Sequence, residues 1–221
     1  MGGSGNDAGV KTLRQPMHSD FDAIVIGAGP AGSTAAILLA RAGWSVALVE
    51  KQRFPRRKVC GECIAASNLP LLHALGLGER FEAEAGPELH RLALMRGEHT
   101  VLATLPGAAS GVHRWGRALG RETLDAMLLE QARAAGAQVL QPWSVQSVEG
   151  AAGNFRCQVR ALDSQAVSVL RAPLAIAAHG SWEALPSERS GWRQARGASD
   201  LFAFKANFRD VALTQSLLAV L

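Results

Sequence analysis

The stretch Asp22–Glu50, DAIVIGAGPAGSTAAILLARAGWSVALVE, constrains this chain more than any other. It reads as strand, glycine turn, helix, strand and acid. Asp22 to Ile26 are mostly apolar and bounded by a turn, as a short buried strand requires. Gly27, Gly29 and Gly32 follow at once as G-x-G-x-x-G. The spacing of Ala31, Ala35, Leu38 and Leu39 predicts a helix that Gly43 ends. Ser45 to Val49 predict a second buried strand, with Glu50 at its carboxyl end. Gly27 permits the tight turn, Gly29 leaves the backbone open to a pyrophosphate, and Gly32 lets helix and strand pack closely. The free N–H groups and dipole of the helix start favour phosphate charge. Glu50 can accept both hydroxyl hydrogens of an adenosine ribose. The bland alternative is a βαβ unit that holds no dinucleotide. The acid about 20 residues past the glycines, in a strand–turn–helix–strand context, weighs against it. The turn alone admits either NAD or FAD. With NAD, Glu50 would repel a 2′-phosphate.

Composition sets outer bounds. A chain of 221 residues with 48% hydrophobic content can bury a sizeable core. The net charge of +4 is no nucleic-acid signature. Its densest point is Lys51–Lys58, KQRFPRRK. That run is either a solvated loop or a clamp for cofactor phosphates, and its place just after Glu50 favours the clamp. Nucleic-acid binding is the weakest reading, because stacking aromatics are not interleaved. Three cysteines make no disulfide scaffold. Residues Met1–Ser19 are polar and glycine-rich, the pattern of a disordered leader, and contain no apolar signal core. No apolar run reaches the length of about 18 residues that a spanning helix needs. The expectation is therefore a cytoplasmic protein with no integral membrane segment.

Downstream, Leu69–Leu77 has helical spacing, and His73 within it reads as a helix-surface residue. Leu89–Leu105 predicts a hairpin about Gly97-Glu98. Glu122–Ala135 predicts an amphipathic helix with Leu124, Met127, Leu128 and Ala132 on one side. Strand patterns recur at Ala137–Leu140, Ser144–Glu149, Phe155–Ala161, Ala166–Arg171 and Leu174–Ala178. The later ones suggest an antiparallel layer. Cys60 and Cys63 form C-x-x-C. A zinc site would need two further ligands, and no second C-x-x-C or H-x-x-x-H occurs. A redox pair would need one activated thiol. Packing or cofactor contact remains the preferred role, and no metal site is expected.

At this loop the chain resembles the FAD-dependent oxidoreductases of the geranylgeranyl reductase, flavin monooxygenase and halogenase-like superfamily. The resemblance rests on GAGPAGSTAAILLARAG, VALVEK and FPRRKVCGE, the last carrying the family's K-x-C-G-E as Lys58, Cys60, Gly61 and Glu62. GRETLDAMLLEQARAAGAQV is similar to the family segment whose arginine, here Arg121, reaches the flavin cofactor. LAIAAHG resembles the strand that ends A-D-G in relatives, with His179 in place of the aspartate and Gly180 retained. FAFKANF resembles the start of the substrate-side sheet.

The resemblance implies an α/β, Rossmann-like FAD-binding domain over residues 20–221 with an added antiparallel β-layer. The substrate-side sheet would begin at about 88–105 and 200–221. The family's G-D-A turn does not occur after Gly180, and family chains are considerably longer, so the expectation is an N-terminal part of a flavoenzyme, truncated at its C-terminus. The cofactor-binding set implied is Gly27, Gly29, Pro30, Ala31, Gly32, Glu50, Lys51, Arg57, Lys58, Cys60, Arg121, Val145 and Gly180. FAD is the implied cofactor, NAD(P)H the implied electron donor, and a small organic molecule the implied substrate. No residue can be named as a catalytic acid or base; His113 and Trp115 are candidates for the substrate side, with loop packing the better reading. The expected activity is that of an FAD-dependent oxidoreductase or monooxygenase. The alternatives are a non-catalytic nucleotide-binding fragment, an NAD-binding dehydrogenase and a flavin-dependent halogenase. One halogenase branch carries a W-x-W box, and none occurs here.

Overall fold

The computed structural model of the chain describes residues 19–109, 111–180, 197, 206 and 210–220. The leader up to residue 18 and most of FAFKANF lie outside the described residues. In chain order the elements are β1 (Ala23–Ile26), α1 (Pro30–Arg41), β2 (Val46–Val49), β3 (Cys63–Ile64), α2 (Leu69–Ala74), α3 (Gly78–Glu84), β4 (Glu88–Leu89), β5 (Arg91–Arg96), β6 (His99–Thr104), β7 (Gly116–Ala118), α4 (Arg121–Ala134), β8 (Gln138–Leu140), β9 (Trp143–Ala151), β10 (Asn154–Ala161), β11 (Val167–Ala172), β12 (Leu174–Ala177) and β13 (Leu217–Val220).

The site is built on a four-stranded parallel sheet in the order β12-β1-β2-β8. Every residue of β1 and β2 is buried, which is why both read as continuous apolar runs rather than alternations. One face of the sheet packs on α1, α4, α2 and α3 through Val25, Leu48, Ile37, Met127, Leu128 and Phe81. The other packs through Ile24, Val49 and Leu140 on Cys157, Val159 and Leu170 of the antiparallel sheet β11-β10-β9. The βαβ core is therefore a middle layer, covered by helices on one side and a sheet on the other.

Two expectations are corrected. Leu174–Ala178 is not part of the antiparallel layer: β12 joins the parallel sheet beside β1, Ala23 opposite Leu174 and Ile26 opposite Ala177. Its short apolar run is equally suited to a two-face-buried strand, and only the partner decides. The buried stripe of α1 is also rotated from the one predicted. Gly32, Ser33, Ala36 and Ile37 face inward, whereas Ala31 and Leu38 are exposed. The helix is apolar nearly all round, so periodicity could not choose the face; close packing at Gly32 does. By contrast Leu124, Met127, Leu128 and Ala132 of α4 are all buried as expected.

The predicted hairpin is β5–β6, with Arg96 opposite His99 across Gly97-Glu98. β13 adds in parallel to β5, Leu217 opposite Arg91. A small sheet, β3-β7-β4, and helix α3 were not anticipated; their two- and three-residue strands are too short to leave a period. Among the described residues no helix is long and apolar enough to cross a membrane.

Candidate functional site

The glycine turn has a different physical reason at each position. Gly27 sits at φ +99°, and a Cβ there would lie 2.6 Å from the Ala178 carbonyl oxygen at the end of β12. A Cβ on Gly32 would overlap the carbonyl oxygen of Gly27 itself. Both are therefore required for the chain to close. Gly29, at φ −69°, is unstrained, and a Cβ there would meet only Arg121 Nη2 at 3.8 Å and Arg56 Nη2 at 3.9 Å. The space above Gly29 is thus open and framed by two guanidinium groups. Pro30 stands at the first turn of α1, which has no side-chain cap and no acidic residue there, so nothing competes for its N–H groups.

Glu50 is buried and clasps the turn: Ala28 N donates to its Oε2 at 2.9 Å and Gln52 N to its Oε1 at 2.7 Å. Each carboxylate oxygen keeps a second lone-pair direction, so the ribose role read from sequence is compatible with this structural one. Ser33, also buried, donates from Oγ to Ala28 O at 3.0 Å.

The basic loop after Glu50 alternates. Phe54, Arg56, Lys58 and Cys60 are half-buried, whereas Pro55, Arg57 and Val59 are exposed. An extended segment sends successive side chains to opposite sides. As a result Arg56, not the expected Arg57, turns toward the glycine turn. Arg57 is 82% exposed in its side chain and donates from Nε to Glu122 at 2.7 Å. Arg56 packs its guanidinium over the Phe54 ring at 4.8 Å. Its Nη2 lies 3.5 Å from Asp125 Oδ2 and 3.9 Å from Glu50 Oε2. Its Nε is buried without a hydrogen-bond partner among the described residues. The missed signal was the spacing F-x-R-x-K-x-C, which puts Arg56 on the face of Lys58 and Cys60.

Arg121 opens α4 at the far side. Its Nε and Nη2 donate to Asp125 at 2.7 and 2.9 Å, a bidentate pair across one helical turn. Asp125 is fully buried and so bridges both arginines. Burial pulls the Arg121 pKa down, but the Asp125 carboxylate and contact with Cys60 outweigh it, and the pKa is raised. Glu62 accepts the Arg121 backbone N–H at 2.9 Å, a cap for α4 brought from a distant loop. Glu62 itself holds φ +55°, an uncommon conformation of the kind that clusters at functional sites. Asp125 and Glu62 were not expected as site residues; an acid on an otherwise apolar helix face, four residues after an arginine, was the available signal for the first.

The remaining expected residues divide. Lys58 Nζ lies 3.2 Å from where a Cβ on Gly180 would stand, joining the basic loop to the end of β12. Cys60 touches Arg121, and its Sγ lies 3.5 Å from Glu62 N. Lys51 and Ala31 are exposed at the rim. Val145 lies in β9 opposite Val159 and packs on the core beneath the antiparallel sheet. Cys63 is exposed in β3, which corrects its expected packing role; Cys60 and Cys63 are both free thiols. Burial pushes the Cys157 thiol up to about 11, so it stays protonated near neutrality. Trp115 packs against His90 with ring centroids 4.7 Å apart and planes tilted by 47°, and His113 stacks on His73 at 5.1 Å.

A buried acid at the second strand's end, a glycine turn against a helix start and two arginines over the gap define a dinucleotide-binding α/β domain. The chain belongs to the FAD binding domain family, whose model matches residues 20–214. It is similar to the menaquinone reductase of Mycobacterium tuberculosis, 36% identical over 119 residues, which are 54% of this chain and 28% of that one. It is 30% identical over 220 residues to the 1H-pyrrole-2-carbonyl peptidyl-carrier-protein chlorinase of Pseudomonas fluorescens, covering 89% of this chain and 48% of that one. The fold matches the myxobacterial chondrochloren halogenase with a TM-score of 0.66 at 23% identity, over 76% of this chain and 39% of that one. This chain therefore spans from about a quarter to about half the length of these relatives.

Proposed function

We propose that this chain is the FAD-binding part of a flavin-dependent oxidoreductase that acts on a small organic substrate. The observation that carries the reading is the open space over Gly29, flanked by Arg56 and Arg121. It is a cradle that a single Cβ would begin to fill, and the Nη2 atoms of Arg121 and Arg56 border it. A diphosphate fits that donor set. Gly29, Pro30 and the first N–H groups of α1 would hold it, with Arg56 and Arg121 supplying charge and Glu50 holding the ribose. Lys58 and Gly180 would border the cofactor on the β12 side. Asp125 orients both arginines through the ion pairs described above. FAD supplies hydride or oxygen chemistry when bound, and the protein supplies orientation and field. The family match and the F-P-R-R-K-V-C-G-E loop favour FAD over NAD as the bound dinucleotide. NAD(P)H is the proposed electron donor, and the cytoplasm the proposed location.

The test is to load the purified chain with FAD, remove excess and record visible absorbance. A stoichiometric flavin spectrum in the native chain, lost in Gly29→Val, is expected. A folded, colourless chain that takes up no FAD overturns the reading. Bleaching of the bound flavin by NADPH under argon would support the donor; an unchanged spectrum would remove it. Halogenation is the second reading of the reaction, favoured by the chlorinase that aligns along 89% of the chain.

A further inference from the structure

We propose that His73, Glu82 and His113 form a divalent metal site, of a ligand set suited to zinc. The three come from separate places: His73 from α2, Glu82 from α3, and His113 from the loop before β7. Their ligand atoms all lie within 4.8 Å of one another. His73 Nε2 is 3.2 Å from Glu82 Oε1, and the two imidazole centroids are 5.1 Å apart at 29°. With Zn–N near 2.0–2.1 Å, two imidazoles on one tetrahedral ion have centroids roughly 5 Å apart. Two histidines and a glutamate are a ligand set that leaves a fourth position for water.

The cluster is held from behind. The Nδ1 edge of His73 packs on Gly78, where a Cβ would overlap the ring, so Nε2 is the nitrogen turned to Glu82. Helices as short as α2 and α3 do not hold themselves in place. Arg41 donates to the Ala74 and Leu75 carbonyls at 2.7 and 2.8 Å and fixes the end of α2. Arg117 of β7 donates to Ala85 O and Gly86 O at 2.8 and 2.7 Å and fixes the end of α3. A bound ion would tie the His113 loop to both helices, on the strand that leads into α4 and Arg121.

Zinc titration of the FAD-free full chain by calorimetry tests this, beside His113→Asn, Gly78→Ala and His90→Ala. His90 makes a similar surface pair with Glu88, at 3.1 Å, and so serves as the two-ligand control. One equivalent per chain is expected, weakened at least about tenfold in His113→Asn and Gly78→Ala and unchanged in His90→Ala. Cobalt in place of zinc should give the intense visible bands of a tetrahedral ion. Wild-type affinity in His113→Asn or Gly78→Ala, equal loss in His90→Ala, or no zinc bound overturns the proposal. Circular dichroism of each variant separates lost ligation from lost folding.

Discussion

Gly29 and Gly32 belong to one motif but answer to different demands. Gly32 has the Gly27 carbonyl where its Cβ would be, so Gly32→Ala forces backbone apart. It should cost about 3 kcal/mol, the upper end for overpacking, in denaturant unfolding of the cofactor-free chain. Gly29→Ala meets nothing closer than 3.8 Å and should leave that stability within about 0.5 kcal/mol while weakening FAD uptake. Equal stabilities for the two variants would show that the turn is looser than the geometry here. Asp125 poses the opposite case, a buried charge whose loss leaves two cations behind. Asp125→Ala should destabilise by about 3–5 kcal/mol. A loss under 1 kcal/mol would mean that Arg56 and Arg121 find solvent instead. The glycines and Glu50 were legible in the sequence because each role needs one residue type at one spacing. Arg56 was not, because three adjacent basic residues look alike until the backbone direction assigns one of them inward.

Among elements, legibility followed length and the number of faces buried. α4 and β10 showed their periods because one side of each is wet. α1 and β12 hid theirs because both are apolar throughout, and the choice of partner lies elsewhere in the chain. The β1–β2 pair is tied at its start by a reciprocal clasp. Ser45 N and Oγ donate to Asp22 Oδ2 at 2.8 and 3.0 Å, and Asp22 N donates to Ser45 Oγ at 3.0 Å. The Ser45 backbone N–H, with its hydroxyl, holds the Asp22 pKa below its usual value of 3.8. A carboxylate with a lowered folded pKa stabilises above the unfolded value and loses that contribution as pH falls through the folded one. Asp22→Asn should therefore unfold more readily than the native chain at pH 6. The two should converge once the pH falls below the lowered folded pKa of Asp22, followed by thermal melts down to that acid range. A constant difference down to acid pH would assign the effect to shape rather than charge.

For the whole molecule, the parallel sheet is the frame that both other layers use, and ligand at its carboxyl edge should be felt globally. At a hundredfold excess over Kd, FAD should add about 2.7 kcal/mol, or roughly 5–10 °C in Tm for a domain of this size. No shift in a chain that nonetheless retains flavin colour would point to binding by the unfolded chain as well. The β5–β6 sheet is the contrasting part: Leu94, Val101 and Leu102 are each at least 50% exposed. Its alternation was readable, yet nothing local distinguishes which face a distant partner covers.

The contact between Gly27 and Ala178 has a consequence for the order in which the protein is made. The turn lies near the start of the chain, but the strand against which it closes is translated well over a hundred residues later. A nascent chain that has finished its βαβ unit therefore still has β1 as an edge. The nucleotide turn gains its final wall only when β12 slots in beside it. On the ribosome, cofactor capture should be a late event, coupled to the return of the chain to its own beginning.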